Sequence, residues 1–194
     1  MKKTALFLTV VFFLSVSVQS QACVGRILNI GIMKSANQNL LAELVSVLLN
    51  ERTGTTVKIK FFDSSEEIYN ALKGEEIGIV IENTDHAMNM LNMQMSSDRK
   101  RDYAVSKKKF KEQMNLTWLK PFGLLPREDG KGEYYYSAVL TEDVLVNFPA
   151  LPRVINKLKG ITNDKHFEKV VKSVESGEQV KGIARDLLKK KKLI

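Results

Sequence analysis

In residues 26–86, three short apolar segments alternate with two stretches of helical periodicity. Few folds have this order of elements. The apolar segments, near residues 27–32, 57–61 and 77–81, are rich in β-branched and aromatic residues and predict strands. Apolar residues between them recur at helical spacing, so a predicted helix joins each strand to the next. A β-α-β-α-β order is typical of a parallel sheet with helices packed on its faces. We therefore expect the α/β fold class, in the form of a three-layer αβα sandwich.

Polar residues follow the first and third predicted strands, where each strand passes into a helix. They are Ser35, Asn37 and Gln38 after the first strand, and Glu82, Asn83 and Thr84 after the third. Open α/β sheets tend to bind small ligands at the carboxyl ends of their strands, where backbone N–H groups are free. These residues are therefore candidates for ligand binding. The alternative, an ordinary strand–helix unit with a polar turn and no ligand, stays open at this point.

The first 22 residues have the pattern of a secretory signal peptide of bacterial type. Lys2 and Lys3 precede an apolar run over residues 5–18, and small residues follow at Ser20 and Ala22. The run is too short for a comfortable membrane span. We expect residues 1–22 to be a signal peptide and residues 23–194 to act in the periplasm or cell envelope.

Cys23 is the only cysteine and directly follows the predicted cleavage point. A single thiol excludes a disulfide framework within the chain. Two interpretations stay open: lipid modification of Cys23, which would tether the chain to a membrane, and simple cleavage after Ala22. Ser20 stands where lipoprotein signals usually carry an apolar residue, and this favours simple cleavage.

The chain carries 30 basic and 22 acidic residues, a formal net charge of +8, and such a balance invites a nucleic-acid partner. The basic residues cluster in residues 99–111 and 189–192, and neither block has the interleaved aromatic residues of a base-stacking surface. The export signal also argues against nucleic acid. We interpret the blocks as solvated helix faces, with weak attraction to anionic lipid headgroups as the alternative.

The second half of the chain predicts a turn-rich connection followed by one more strand. Residues 122–133 contain three glycines and a proline among charged residues and predict turns. Residues 134–140 are aromatic and β-branched and predict a strand, on which Tyr134 and Tyr136 share one face. This pair is a candidate aromatic wall of a binding site. The alternative is the core and edge contacts of an ordinary strand.

No arrangement of residues predicts catalysis, a cofactor or a metal site. His86 and His166 have no cysteine or histidine partner at metal-ligand spacing, and phosphate-binding and nucleophile motifs are missing from the sequence. Glu82 and Asp85 form a pair of carboxylates at a predicted strand end, and capping is a simpler role for them than acid–base chemistry. We therefore expect a protein that is not an enzyme.

Four regions in a fixed order resemble one family. They are IGIMKSANQNLLAEL, FFDSSEEIYNALKGEEIGIVIENTDHA, FKEQMNLTWLKPFG, and the region from SAVLTEDVLVNFPALPRVINKLKG to ARDLLKKKKLI. The chain is similar there to the substrate-binding proteins of ABC transporters for glycine betaine, choline and proline, which are type II periplasmic binding proteins. The resemblance implies a receptor with two α/β lobes that close on a solute. Because only residues 122–133 stand where the family inserts its second lobe, we expect residues 23–194 to form a single lobe.

The resemblance also implies which residues bind the solute. Three positions match those of the family, namely Gln38, Glu82 and Thr84. Asn83 stands where the family commonly has an aromatic residue. Tyr134 and Tyr136 would restore part of an aromatic wall for a quaternary ammonium group, which aromatic ring faces attract through cation–π interaction.

The implied partners are a small zwitterionic or quaternary ammonium solute and an ABC permease or another envelope protein. One lobe encloses little of a small ligand, whereas small-molecule sites normally enclose most of it. A second copy of the chain or another envelope protein would then supply the facing wall. Two functions stay open: the solute-binding component of osmolyte uptake, and an envelope scaffold or interaction module that keeps the lobe but has lost the ligand.

Overall fold

Six strands form one sheet in the computed structural model, which describes residues 27–126 and 132–194. The strands are β1 (Ile27–Met33), β2 (Thr56–Phe62), β3 (Ile79–Asn83), β4 (Thr117–Trp118), β5 (Gly123–Pro126) and β6 (Glu133–Leu140). Their order is β2-β1-β3-β6-β4, and β5 also pairs with β6. Strand β1 runs parallel to β2 and β3, whereas β6 runs antiparallel to β3, β4 and β5. The sheet is therefore mixed, with its parallel part in the region where the sequence predicts it.

Eight α-helices connect and cover these strands in the described residues. They are α1 (Ala36–Thr53), α2 (Ser65–Lys73), α3 (Thr84–Met90), α4 (Arg99–Met114), α5 (Glu142–Asn147), α6 (Leu151–Ile155), α7 (Phe167–Glu175) and α8 (Val180–Lys190). Helix α1 begins after Ser35, whose side chain accepts a hydrogen bond from the Gln38 N–H, and ends at Gly54 in the left-handed conformation. Serine is a favoured residue at the start of an α-helix, and glycine is favoured at its end, because it adopts the left-handed conformation without strain. The predicted β-α-β-α-β order of residues 26–86 is confirmed.

The helices lie in two layers, one on each face of the sheet. On one face, α1 packs with α6, α7 and α8 around leucines and isoleucines of β1 and β3. On the other face, α2, α3 and α4 cover Ile77, Val80, Trp118 and Val139. Because both faces of β3 are covered, its successive residues Ile79, Val80 and Ile81 are all buried and apolar, as expected for a central strand. The predicted three-layer αβα sandwich is confirmed.

The edge strand β2 is only half covered. It pairs on one side with β1 alone, and its Phe61 side chain is 51% exposed. Lys58 and Lys60 alternate with the apolar residues of β2. The strand predicted near residues 57–61 is thus the outermost strand of the sheet on this side, and lysines among its apolar residues are typical of such a position.

The prediction of turns throughout residues 122–133 is wrong for residues 123–126. These four residues form β5, which pairs with the first half of β6 from Gly123 opposite Tyr136 to Pro126 opposite Glu133. Pairing with a strand that follows later in the chain outweighs the local turn signals of glycine and proline, and Pro126 is tolerated because it lies at the strand end. Residues 127–131 lie outside the described residues.

The predicted signal peptide, residues 1–22, and Cys23 also lie outside the described residues. Within residues 27–126 and 132–194, no helix combines the length and the apolar character needed to cross a bilayer.

Candidate functional site

A hollow of about 230 Å³ opens at the carboxyl end of β3. Five of the eight predicted ligand-binding residues line it: Gln38, Glu82, Asn83, Tyr134 and Tyr136. The antiparallel pairing of β3 with β6 explains this meeting, because Asn83 at the end of β3 lies opposite Tyr136 near the start of β6. Met33, Ile68, Asp85 and His86 complete much of its lining. The chain thus brings residues from four separate parts of the sequence to one edge of the sheet.

Glu82 provides the hollow with a buried carboxylate. Its residue is 2% exposed, and both of its oxygen atoms accept hydrogen bonds. Oε2 accepts from the Tyr69 hydroxyl at 2.7 Å and lies 2.7 Å from Nδ1 of His86, and Oε1 accepts from the Asn83 N–H at 2.8 Å. A buried charge is costly unless it is paired and hydrogen-bonded. The three hydrogen-bond partners therefore offset the cost of burying the Glu82 carboxylate.

The Glu82 carboxylate lies between Tyr69 and His86 and raises the pKa of both groups. Burial raises the pKa of Tyr69 well above its ordinary value, and the negative charge of Glu82 and its hydrogen bond raise the pKa further. For His86, burial lowers the pKa, but the charge of Glu82 and its hydrogen bond outweigh burial, so that the pKa is raised overall. Neither Tyr69 nor His86 is among the site residues predicted from the sequence. His86 lies in the first turn of α3, four residues after Glu82 in β3, and this short separation in sequence is the signal that could have found the histidine.

Gln38 contributes to the hollow while its carbonyl group is held by the backbone. Its Oε1 accepts a hydrogen bond of 2.7 Å from the Met33 N–H, the last residue of β1. Ser35, by contrast, does not line the hollow, and its hydroxyl accepts a hydrogen bond of 3.4 Å from the Gln38 N–H at the start of α1. Ser35 therefore caps α1, whereas the side-chain amide nitrogen of Gln38 is left as the donor that this residue can offer to a ligand.

Asn37 and Thr84 also lie apart from the lining of the hollow. The Asn37 side chain donates a hydrogen bond of 3.2 Å to the carbonyl of Pro126 and so joins the start of α1 to β5. Thr84 is fully buried, and its hydroxyl has no hydrogen-bond partner among the described residues. Asn83 lines the hollow and also caps α3, because its Oδ1 accepts from the His86 N–H at 2.9 Å.

Tyr134 and Tyr136 form one wall, as their shared face of β6 predicts. Both are largely buried, at 7% and 5% exposure. The guanidinium carbon of Arg99 lies 5.3 Å from the centre of the Tyr134 ring, within the range of cation–π attraction. A cation of the chain itself therefore already lies over one of the two rings.

Two other features of the described residues bear on the site. A wider groove of about 690 Å³ lies beside Gly78, at the amino end of β3, and none of the eight predicted residues lines it. No group of three or more histidine, cysteine, aspartate or glutamate residues in the described part of the chain is placed to hold a metal ion.

Comparison with known proteins identifies the family. Residues 27–129 match OpuAC, the substrate-binding domain of ABC-type glycine betaine transport systems. The chain belongs to this family. The OpuAC match includes β1 to β5, with Gln38 at the start of α1 and Glu82 in β3, and it ends before Tyr134 and Tyr136. No curated protein sequence matches the chain.

Solved structures show the same fold. A glycine betaine/carnitine/choline ABC transporter structure superposes with a TM-score of 0.74 at 14% identity, over 86% of this chain and 99% of that chain. Apo YehZ from Escherichia coli gives 0.69 at 13% identity, over 87% and 99%. Lactococcal OpuAC, closed on glycine betaine, gives 0.51 at 8% identity, over 86% and 96%. At these identities, the likeness establishes the OpuAC-type fold.

Proposed function

We propose that this OpuAC-family chain is the solute-binding component of an ABC uptake system, and that it binds a small zwitterionic or quaternary ammonium solute without catalysis. The observation that carries the proposal is the meeting of Gln38, Glu82, Tyr134 and Tyr136 around one hollow. These residues come from the start of α1, the end of β3 and the start of β6. Their side chains suit a cation at one end and a hydrogen-bond acceptor at the other.

The chemistry of the hollow divides between its two walls. The Glu82 carboxylate and the tyrosine rings attract an ammonium group, the first through charge and the second through cation–π attraction. The side-chain amide nitrogen of Gln38 can donate to the carboxylate or hydroxyl end of the solute, because its Oε1 is already bonded to the Met33 N–H. Specificity for the length of the solute would then come from the distance between the Gln38 amide nitrogen and the site of the ammonium group.

The size of the hollow supports the participation of a second surface. Its volume of about 230 Å³ lies below the roughly 300–1,000 Å³ of typical small-molecule pockets, which enclose most of their ligand. A second copy of the chain, the permease or another envelope protein would supply the facing wall. In this proposal residues 23–194 act as a single lobe in the periplasm or cell envelope after removal of residues 1–22, with Cys23 as a lipid anchor in the lipoprotein alternative.

An envelope scaffold that has lost its ligand is the second candidate function, and a specific observation favours it. Arg99 lies over the Tyr134 ring, and Asn83 stands where the family commonly has an aromatic residue. Both features weaken the aromatic attraction for an incoming ammonium group. In this alternative the lobe serves as an interaction module for another envelope protein.

Titration calorimetry with glycine betaine, choline, carnitine and proline tests the first function. We expect saturable heat with at least one solute, and a weaker affinity for the Glu82→Gln variant, which keeps the shape of the side chain and removes its charge. Glu142→Gln is the matched control, because Glu142 is an exposed carboxylate at the opposite end of β3, beside the 690 Å³ groove. No heat with any solute, even at high protein concentration, would reject solute binding. A stoichiometric protein partner captured without added solute would then favour the scaffold.

A further inference from the structure

A second cavity, separate from the hollow, lies between α4 and the edge strand β4. Its volume is about 570 Å³, within the range of pockets that bind small organic molecules. Residues of α4 form one side and residues of β4 the other: Tyr103, Ala104, Lys107, Lys108, Lys111 and Glu112 on α4, and Thr117 and Trp118 on β4. We call it the α4 groove. It shares no lining residue with the hollow.

The floor of the α4 groove is aromatic and fixed in place. Trp118 is 1% exposed and packs edge-to-face against two rings, with 5.8 Å between its ring centre and that of Tyr103 and 5.4 Å to that of Phe110. The Tyr103 hydroxyl donates a hydrogen bond to the carbonyl of Leu119, so its polar group is turned to the backbone. The half-buried Tyr103 ring is therefore the aromatic surface that the groove presents to a ligand, and the buried Trp118 supports it from beneath.

The rim of the α4 groove is positively charged. Its lining contains three lysines, Lys107, Lys108 and Lys111, and one carboxylate, that of Glu112. Lys111 is held by Glu142 at 2.7 Å, and Lys108 lies 3.8 Å from Glu112. Among the described residues, Lys107 forms no ion pair, and its side chain is exposed. The rim therefore keeps a net positive charge next to an apolar floor.

We infer that the α4 groove binds a small amphiphilic anion, a carboxylate carried on an aliphatic body. The body lies on the half-buried Tyr103 ring, above the buried Trp118, and the carboxylate reaches Lys107 and Lys108. Charge complementarity selects the anion, and the ring edges select the apolar body. A single-stranded nucleic acid fits less well, because base stacking requires open ring faces, and Trp118 is buried.

Trp118 makes the groove directly observable, because it is the only tryptophan of the chain. Titration of the full chain with dodecanoate, below its micelle concentration, is expected to change tryptophan fluorescence in a saturable way. Dodecyltrimethylammonium, with the same tail and the opposite charge, is expected to bind at least about tenfold more weakly, since the lysines repel it. Acetate, which lacks the tail, is expected to give no change. Equal responses to the two amphiphiles would overturn the inference.

Substitutions locate the site. Lys107→Gln with Lys108→Gln removes two charges from the rim, and we expect it to weaken dodecanoate binding by about tenfold. Lys189→Gln with Lys190→Gln is the matched control, because both lysines are exposed on α8, which packs on the other face of the sheet. Ala104→Phe fills the groove from an exposed helical position and is expected to abolish the fluorescence change. Equal losses in the two lysine double variants, or unchanged binding in Ala104→Phe, would overturn the inference.

Discussion

Oε2 of Glu82 lies 2.7 Å from Nδ1 of His86, four residues further along the chain. Glu82 is the penultimate residue of β3 and His86 lies in the first turn of α3, so this contact joins a strand to the helix that follows it. The Asn83 side chain caps the same helix. The end of β3 is therefore fixed by side chains that also line the hollow, and stability and solute binding are expected to depend on the same residues.

Stability is expected to depend on the protonation of His86. Its pKa in the folded chain is raised above the ordinary value of 6.5. The ion pair with Glu82 therefore stabilises the fold fully below about pH 6.5, and this contribution is lost as the pH rises through the folded-state pKa. Urea unfolding of the parent chain and of His86→Gln should show a larger difference in the free energy of unfolding near pH 6 than near pH 9. A difference that is constant, or that grows with pH, would contradict the ion pair.

Removal of the Tyr69 hydroxyl is expected to destabilise the chain. Tyr69→Phe leaves the buried Glu82 carboxylate without one of its donors, and we expect a loss of about 1–3 kcal/mol in the free energy of unfolding. Tyr135→Phe is the matched control, because the Tyr135 hydroxyl bonds no described residue, and its effect should stay within about 0.5 kcal/mol. Equal effects of the two substitutions, measured by urea unfolding, would argue against a hydrogen bond at Tyr69.

Two glycines are expected to respond to alanine in opposite directions. Gly123 has a φ of +132°, and an added Cβ would overlap the Thr162 side chain, so Gly123→Ala should cost at least about 1–3 kcal/mol. Gly182 lies in α8 with open space around its Cα, so Gly182→Ala should stabilise the chain by about 0.5–1 kcal/mol. Thermal unfolding of both variants checks the contrast. A neutral Gly123→Ala would mean that β5 does not approach Thr162 as described.

Asn37 and Gln38 are adjacent and are expected to differ in role. Asn37→Ala removes the hydrogen bond to Pro126 and should lower the free energy of unfolding by about 0.5–1.5 kcal/mol without changing solute affinity. Gln38→Ala removes a residue that lines the hollow and should lower both. Calorimetric titration and urea unfolding of the two variants separate the effects. A loss of affinity in Asn37→Ala that matches that of Gln38→Ala would place Asn37 in the site.

The sequence predicts the elements with local signals well. Ser35 and Gly54 mark the two ends of α1, because capping side chains and the left-handed conformation act within one helical turn. Strand β5 escapes prediction because its partner, β6, determines it, and no local pattern encodes that pairing.

The sequence predicts only part of the candidate site, because some of its contacts join segments that are distant in the sequence. Residues at strand ends reach the hollow because topology brings these ends together, and five of the eight predicted residues line it. Ser35 instead caps α1, and Asn37 bonds the Pro126 carbonyl of β5. Both roles depend on the exact position at which α1 begins. Tyr69 reaches Glu82 from α2, a contact across 13 residues that apolar periodicity cannot distinguish from core packing.

The exposed edge of β2 bears on solubility. A seven-residue strand with an open edge offers backbone N–H and C=O groups to the same edge of another copy, and the exposed Phe61 adds an apolar contact. Lys58 and Lys60 would meet their own counterparts in such a pairing, and like charges facing each other oppose it. We therefore expect Lys58 and Lys60 to oppose aggregation through the open edge of β2.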